Sequence, residues 1–205
     1  MKRLLLALVA ALPLAAVAQE AAPALQEDPR AARFREIERG FWVGFEAGFV
    51  GFTKTPTMDA ARFPYAGGGG GFASGFGVTV SVGVDLSSRL ALSAFAMGSN
   101  ARASASYGAF DVLAAGGDLR LAPFAWQDAQ GVERLHGYVH VRGGYLLSRP
   151  DSLFDSRDFM IGGGIGIEYF TRLRHFSVGL ALDGMFVGKV KVPGVALSPT
   201  LRYTF

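Results

Sequence analysis

The feature that most constrains this chain is a two-residue alternation that recurs eight times along it. From Phe72 onward, Phe72, Ser74, Phe76, Val78, Val80, Val82 and Val84 interleave with Ala73, Gly75, Gly77, Thr79, Ser81, Gly83 and Asp85. Successive strand side chains point to opposite faces, so period two means strand. At 14 residues the run is more than twice the usual globular strand of about 5–6. Phe41 to Phe52 sets Phe41, Val43, Phe45, Ala47 and Phe49 against Trp42, Gly44, Glu46 and Gly48. The same division holds in 110–121, 135–148, 159–170, 176–186 and 195–205, whereas 90–99 alternates too weakly to assign its faces. The longest uncharged run, Phe63 to Val84, has the length of a spanning helix. Eight of its 22 residues are glycine, five of them consecutive at 67–71, and its second half alternates.

Charge decides which row is wet. Glu46, Asp85, Asp118, Arg120, Arg142, Glu168, Asp183 and Arg202 all fall on the small or polar row, and only Asp111 departs, at a strand end. A soluble sandwich turns its apolar rows inward and covers its outer faces with polar residues. Here the polar rows are rich in glycine and poor in lysine, and charged residues make up 18% of the chain against about 25% in typical domains. Apolar rows facing lipid and polar rows facing a lumen satisfy the pattern. The expected fold is all-β, an eight-stranded antiparallel transmembrane β-barrel.

Connections and aromatics agree with that plan. Turns at 87–89 and 171–175 are short, those at 53–71, 100–109, 149–158 and 187–194 are longer, and 122–134 is long for its side. Short turns at one end and longer loops at the other are the outer-membrane arrangement. Aromatic girdles are expected at Phe41, Tyr169, Phe170, Phe176, Tyr203 and Phe205 on the short-turn side. On the loop side they are expected at Phe49, Phe52, Phe72, Tyr107, Phe110, Tyr145 and Phe159.

The start of the chain reads as an export signal. Lys2 and Arg3 precede an apolar run from Leu4 to Ala15, and Ala16-Val17-Ala18 is a small-residue cleavage site. The expected organisation is a signal peptide at 1–18, a periplasmic segment at 19–40 and the barrel at 41–205. Without Lys2 and Arg3, 18 basic residues face 17 acidic ones, a net charge of +1. That balance gives a nucleic-acid partner no electrostatic support.

The last strand, Val195 to Phe205, ends in phenylalanine with apolar residues at every second position. Leu201, Tyr203 and Phe205 in this arrangement resemble the C-terminal signal of bacterial outer-membrane β-barrels. That resemblance implies a Gram-negative outer membrane, contact with its lipid and lipopolysaccharide, and folding by the barrel-assembly machinery. The stretch after the export signal resembles the eight-stranded class that includes the transmembrane domain of outer-membrane protein A. In size and plan it is also similar to the barrel component of myxobacterial adventurous gliding, which implies other envelope proteins as partners.

The lumen is the first candidate site. Glu46, Asp118, Arg120, His136, His140, Arg142, Glu168, Asp183 and Arg202 are expected to form a polar network there. Glu46 and Arg202 lie on the two strands that close the barrel, and Glu168 is within reach of His136 or His140. A buried charge without a partner is costly, so a paired plug is the expected state. Inward glycines at 75, 77, 83, 162, 164 and 166 make room for Trp42, Tyr138, His140 and Arg142 from the opposite wall. Alternatively they thin the wall of a narrow channel for small or hydrophobic solutes, like outer-membrane protein W.

Catalytic, cofactor and metal sites are not expected. The chain has no cysteine and three histidines, His136, His140 and His175. His175-Phe176-Ser177 is similar to the His-x-Ser pair of outer-membrane lipid A deacylase. That pair must face lipid, and alternation here turns both residues inward; the flanking asparagine motif is also missing. Gly67 to Gly71 is followed by no lysine and no helix start, so it is no phosphate loop. The expected role is a non-enzymatic structural or interaction component of the envelope. Phe34 in the periplasmic segment and Arg62, Phe63 and Tyr65 in the first long loop are the candidate partner contacts.

Overall fold

The computed structural model describes residues 37–53, 73–104, 108–149, 158–173, 175–188 and 191–205. The expected export signal, Phe34, Arg62, Phe63, Tyr65, Phe72 and Tyr107 lie outside these residues. Eight strands follow in chain order: β1 (Phe41–Phe52), β2 (Ala73–Asp85), β3 (Leu90–Ser104), β4 (Gly108–Gln127), β5 (Glu133–Arg149), β6 (Asp158–Phe170), β7 (Phe176–Val187) and β8 (Val192–Thr204). Each pairs antiparallel with its neighbour and β8 returns to β1, closing the barrel. Closure is what lipid demands, since every backbone N–H and C=O must find a partner within the sheet. Strands of 12–13 residues, rising about 3.3 Å per residue and tilted by about 40°, span roughly 30 Å, the thickness of a bilayer's hydrocarbon core.

The outward rows carry Phe45, Val80, Leu119, Val141, Ile165, Leu180 and Leu197, all exposed. Their partners on the inward rows are buried or half-buried. Here β3 resolves what alternation left open: Ala91, Ser93, Phe95, Met97, Ser99 and Ala101 face inward, and Leu92, Ala94 and Ala96 face outward. Its signal is weak because two of its largest apolar residues, Phe95 and Met97, lie on the inner row.

The fourth connection is shorter than expected. β4 runs past Leu121, its last partner on β3, as far as Gln127, and pairs there with β5 alone. The turn is confined to 128–132. Asp128 Oδ1 accepts from the backbone N–H of Gln130 (2.8 Å) and Val132 (3.0 Å), and Oδ2 accepts from Arg134 Nε (2.7 Å). Gly131, at φ +79°, takes the left-handed position that a side chain disfavours. The register shifts between Leu121 and Phe124, around Pro123, which has no N–H to offer a ladder. Two bonds fasten the hairpin's base to the β2–β3 turn, Ala122 N–H to Arg89 O (2.7 Å) and Arg89 Nη1 to Pro123 O (3.2 Å).

The girdles need three corrections. Phe52, Phe110 and Phe170 fall on inward rows rather than at the lipid boundary. Phe52 and Phe110 are 0% and 1% exposed with ring centroids 5.8 Å apart. Phe170 packs edge-on against His136. In exchange the lower girdle gains Phe124 and Trp126, stacked on the hairpin's outer face.

Candidate functional site

The barrel interior is built in layers, and the lower layers carry the charge. At the bottom, Arg202 of β8 pairs with Asp85 of β2, and its guanidinium lies 4.5 Å from the centre of the Trp42 ring. Above it, Arg120 of β4 pairs with Glu168 of β6 and stacks 3.7 Å over Tyr138 of β5. Ser177 Oγ donates to the second oxygen of Glu168 at 2.6 Å. Two thirds of the way up, Arg142 of β5 sits among three carboxylates from three strands. They are Asp118 at 3.1 Å, Glu46 at 3.5 Å and Asp183 at 3.6 Å. His140 bridges two of these, with Nδ1 2.7 Å from Asp118 Oδ2 and Nε2 2.7 Å from Asp183 Oδ1. Opposite charges in direct contact offset the large cost of taking each from water.

Local sequence explains why these side chains fit. Tyr138, His140 and Trp42 each stand opposite a glycine on the adjacent strand, at Gly166, Gly164 and Gly83. A Cβ at Gly166 would lie 2.4 Å from Tyr138 Cζ, and one at Gly83 would lie 2.4 Å from Trp42 Cζ2. The glycines therefore seat their cross-strand partners, not side chains reaching over from the far wall.

All nine residues of the expected network lie on inward rows, but they do not join as one set. Glu46 does not pair with Arg202. Register sets Gly44 against Arg202 and Glu46 against Thr200, and Glu46 turns to Arg142. His136 stands opposite Glu168, yet its Nε2 donates to the carbonyl of Glu133 at 2.9 Å. Two participants were missing from the expected network. Asp85 was already marked as charged on the polar row, and only the β2–β8 juxtaposition identifies it as Arg202's partner. Ser177 gave no signal, because a serine on a polar row is unremarkable until the carboxylate diagonal to it is known.

The upper layers are mainly apolar, with Ser99, Ser148 and Asp158 buried among larger side chains. Val50, Phe52, Phe110, Val112, Leu146, Val187 and Val192 form one buried apolar cluster, continued downward by Phe95, Met97, Met160 and Met185. The Arg142 guanidinium lies 5.5 Å from the Phe95 ring, where the charged and apolar parts meet. Among the described residues free space inside is small: about 50 Å³ beside Arg120 and Tyr138, about 20 Å³ between Arg142 and the methionines, and about 20 Å³ at the lower end by Asp85 and Arg202. A polar lumen is expected throughout; above Arg142 the inward rows are instead mainly apolar.

Among the described residues, Ser177 and His175 do not meet. Ser177 is buried and committed to Glu168, while His175 Nδ1 donates to Thr204 O at 2.9 Å and sits beside Glu38. Among the described residues no group of three or more His, Cys, Asp or Glu is arranged to hold a metal ion. At the C-terminal end, Leu201 and Phe205 are exposed on the outer surface, and Tyr203 packs edge-on against Phe176 and Phe205.

No family model matches the sequence, and no curated protein matches it either. Solved structures do. Neisserial surface protein A aligns at 17% identity and TM-score 0.60, over 81% of this chain and 97% of that one. The outer membrane protein OprG from Pseudomonas aeruginosa aligns at 10% identity and TM-score 0.50, over 83% and 99%. The outer membrane protein AlkL aligns at 16% and 0.50, over 91% and 96%. At these identities the likeness is one of fold: the chain has the closed, eight-stranded antiparallel architecture of the small bacterial outer-membrane barrels.

Proposed function

We propose that this chain is a non-enzymatic barrel of the Gram-negative outer membrane whose lumen is closed, and that it serves as a structural or interaction component of the envelope. One observation carries the reading. Among the described residues the interior is filled by paired charges below and a mainly apolar core above, with free spaces of about 50, 20 and 20 Å³. A through-channel for polar solutes needs continuous water, and the layer around Phe52, Phe110 and Leu146 is packed with side chains, the few polar ones among them, Ser99, Ser148 and Asp158, being buried. An enzyme needs a nucleophile poised beside its base, and Ser177 and His175 are tied to different partners. What remains to act is the outside: the chain ends, the loops and the lipid-facing wall. The exposed Leu201, Tyr203 and Phe205 suit recognition by the barrel-assembly machinery. Phe34, Arg62, Phe63 and Tyr65 are the positions from which further envelope proteins would be met. A machine of the adventurous-gliding kind is one setting for such a component.

The test is electrical. Protein purified from outer membranes and inserted into planar bilayers is expected to give no discrete conductance steps. Steps that scale with protein added would favour the narrow-channel reading instead. Photocrosslinking in cells from positions 34 and 65 then separates the remaining roles: adducts to specific envelope proteins support an interaction component. Adducts to lipid alone would leave only a stand-alone structural barrel.

A further inference from the structure

Every methionine among the described residues lines the same small void. The chain has five, of which Met1 and Met58 lie outside the described residues. Met97 of β3, Met160 of β6 and Met185 of β7 are buried, and all three line the space of about 20 Å³ beside Arg142. Register admits them. Met185 is opposite Gly162 on β6 and Gly194 on β8, and Met160 is opposite Gly144 on β5. A Cβ at Gly194 would lie 2.9 Å from Met185 Cγ, so the missing side chain makes room for the thioether.

Methionine commonly fills irregular gaps in a core. Two observations set this trio apart. First, the methionines leave open a void that they share. It has room for one water-sized occupant, and thioether sulfur is only a weak hydrogen-bond acceptor for water. Second, the rest of the lining is charged, by Glu46, Arg142 and Asp183. Arg142 faces three carboxylates, Glu46, Asp118 and Asp183. Even with a proton on both ring nitrogens of His140, which bridges Asp118 and Asp183, this layer keeps one negative charge uncancelled. Below it Arg120 and Glu168, and Arg202 and Asp85, are matched one to one. The charge that is lacking is a single positive one, and it is lacking beside three sulfur donors.

The void also has an approach. It shares Glu46, Thr79 and Arg142 with the space beside Tyr138, which in turn shares Arg120, Glu168 and Arg202 with the space at the lower end. These shared walls make a succession from the lower end to the sulfurs, with the apolar layer as its blind end. Thioethers are soft, uncharged donors suited to copper(I), whereas hard cations take oxygen ligands. We propose that Met97, Met160 and Met185 hold one copper(I) ion, whose charge balances the Arg142 layer. Among the described residues His, Asp and Glu make no metal set by themselves, so sulfur is what defines the site. It goes beyond the structural role given above and does not depend on it.

The test uses silver(I), a redox-inert stand-in, with the full-length protein in detergent and chloride-free buffer. The protein carries Met58→Leu and methionine labelled with carbon-13 at the methyl group. One equivalent of silver nitrate is expected to move three methyl resonances together, assigned by Met97→Leu, Met160→Leu and Met185→Leu. These exchanges roughly conserve volume, and gel mobility of unheated samples checks that each variant is folded. Each is expected to weaken silver binding by about tenfold, and the triple variant should retain none. Copper(I), generated anaerobically with ascorbate, should displace the silver, and equimolar zinc(II) should leave the three resonances in place. Unmoved resonances on adding silver overturn the proposal, as does silver binding by the triple variant equal to that of its parent. An equal response to zinc(II) would mark attraction by charge alone and also overturn it, as would failure of copper(I) to displace silver.

Discussion

Glu168 holds two donors at once, the Arg120 guanidinium and the Ser177 hydroxyl. Removing it strands a charge inside the wall, and breaking a buried pair from one side costs about 3–5 kcal/mol. Glu168→Ala is expected to lower the urea midpoint of the folded barrel, and adding Arg120→Met should recover part of the loss; an unchanged midpoint in the single variant would refute the pairing. Phe52→Ala should cost about 3–5 kcal/mol, as for a phenylalanine taken from a core. Phe76→Ala, on the outer surface where lipid takes the vacated space, should cost far less. The two phenylalanines separate interior from girdle in a way that composition cannot. Both stand near the upper end of a strand, and an aromatic there reads equally well as boundary or core. Inward placement of the charged residues was legible because lipid tolerates charge so poorly. Their partners were not, because pairing across a lumen depends on strand stagger and tilt, and a sequence states neither.

Among elements, the β4–β5 hairpin is the one that exceeds the barrel. Below Leu121 it has no β3 partner, and it is fastened by Arg89 and by Arg134 Nη1, which donates to Thr171 O at 3.2 Å. Replacing 126–135 with a two-residue turn, which joins the facing pair Ala125 and His136, should therefore leave a barrel that still runs as the compact, unheated species on gels. Unfolding of that variant would show that the hairpin belongs to the core ladder. Its turn also has a defined response to acid. The Val132 N–H, with help from Arg134 and the Gln130 N–H, holds the Asp128 carboxyl below the usual aspartate range. A depressed carboxylate supports the turn at every pH above its unperturbed value near 3.9 and loses that support only as pH falls through the lowered value. The Val132 amide resonance should accordingly stay fixed from neutral pH down to about 4 and move below it, and Asp128→Asn should abolish the movement. Strand extents were readable wherever one row was uniformly large. They failed at 122–134, where Pro123 and a register shift break the alternation, and at β3, whose bulk points the other way.

At the scale of the whole molecule, the described interior of the barrel is packed with side chains. Replacing Phe52 and Phe110 together with glycine should open the packed upper layer, and bilayers holding that variant should leak where wild type does not. If both stay silent, the seal lies lower, at the Arg142 layer. The packed upper layer has one more consequence. Above Arg142 the sheet has apolar side chains on its outer face and a mainly apolar, close-packed core on its inner face, so its amides should meet little water from either side. Below Arg142 the inner face is polar and close to an open end. Deuterium uptake should therefore divide the same eight strands in two at the height of Arg142. Amides of 43–46 and 178–181 would exchange over hours, and those of 49–51 and 184–186 would keep their protons until the molecule unfolds. The boundary between those two clocks would lie within single, unbroken strands, where ladder hydrogen bonding is the same on both sides and only access to solvent differs.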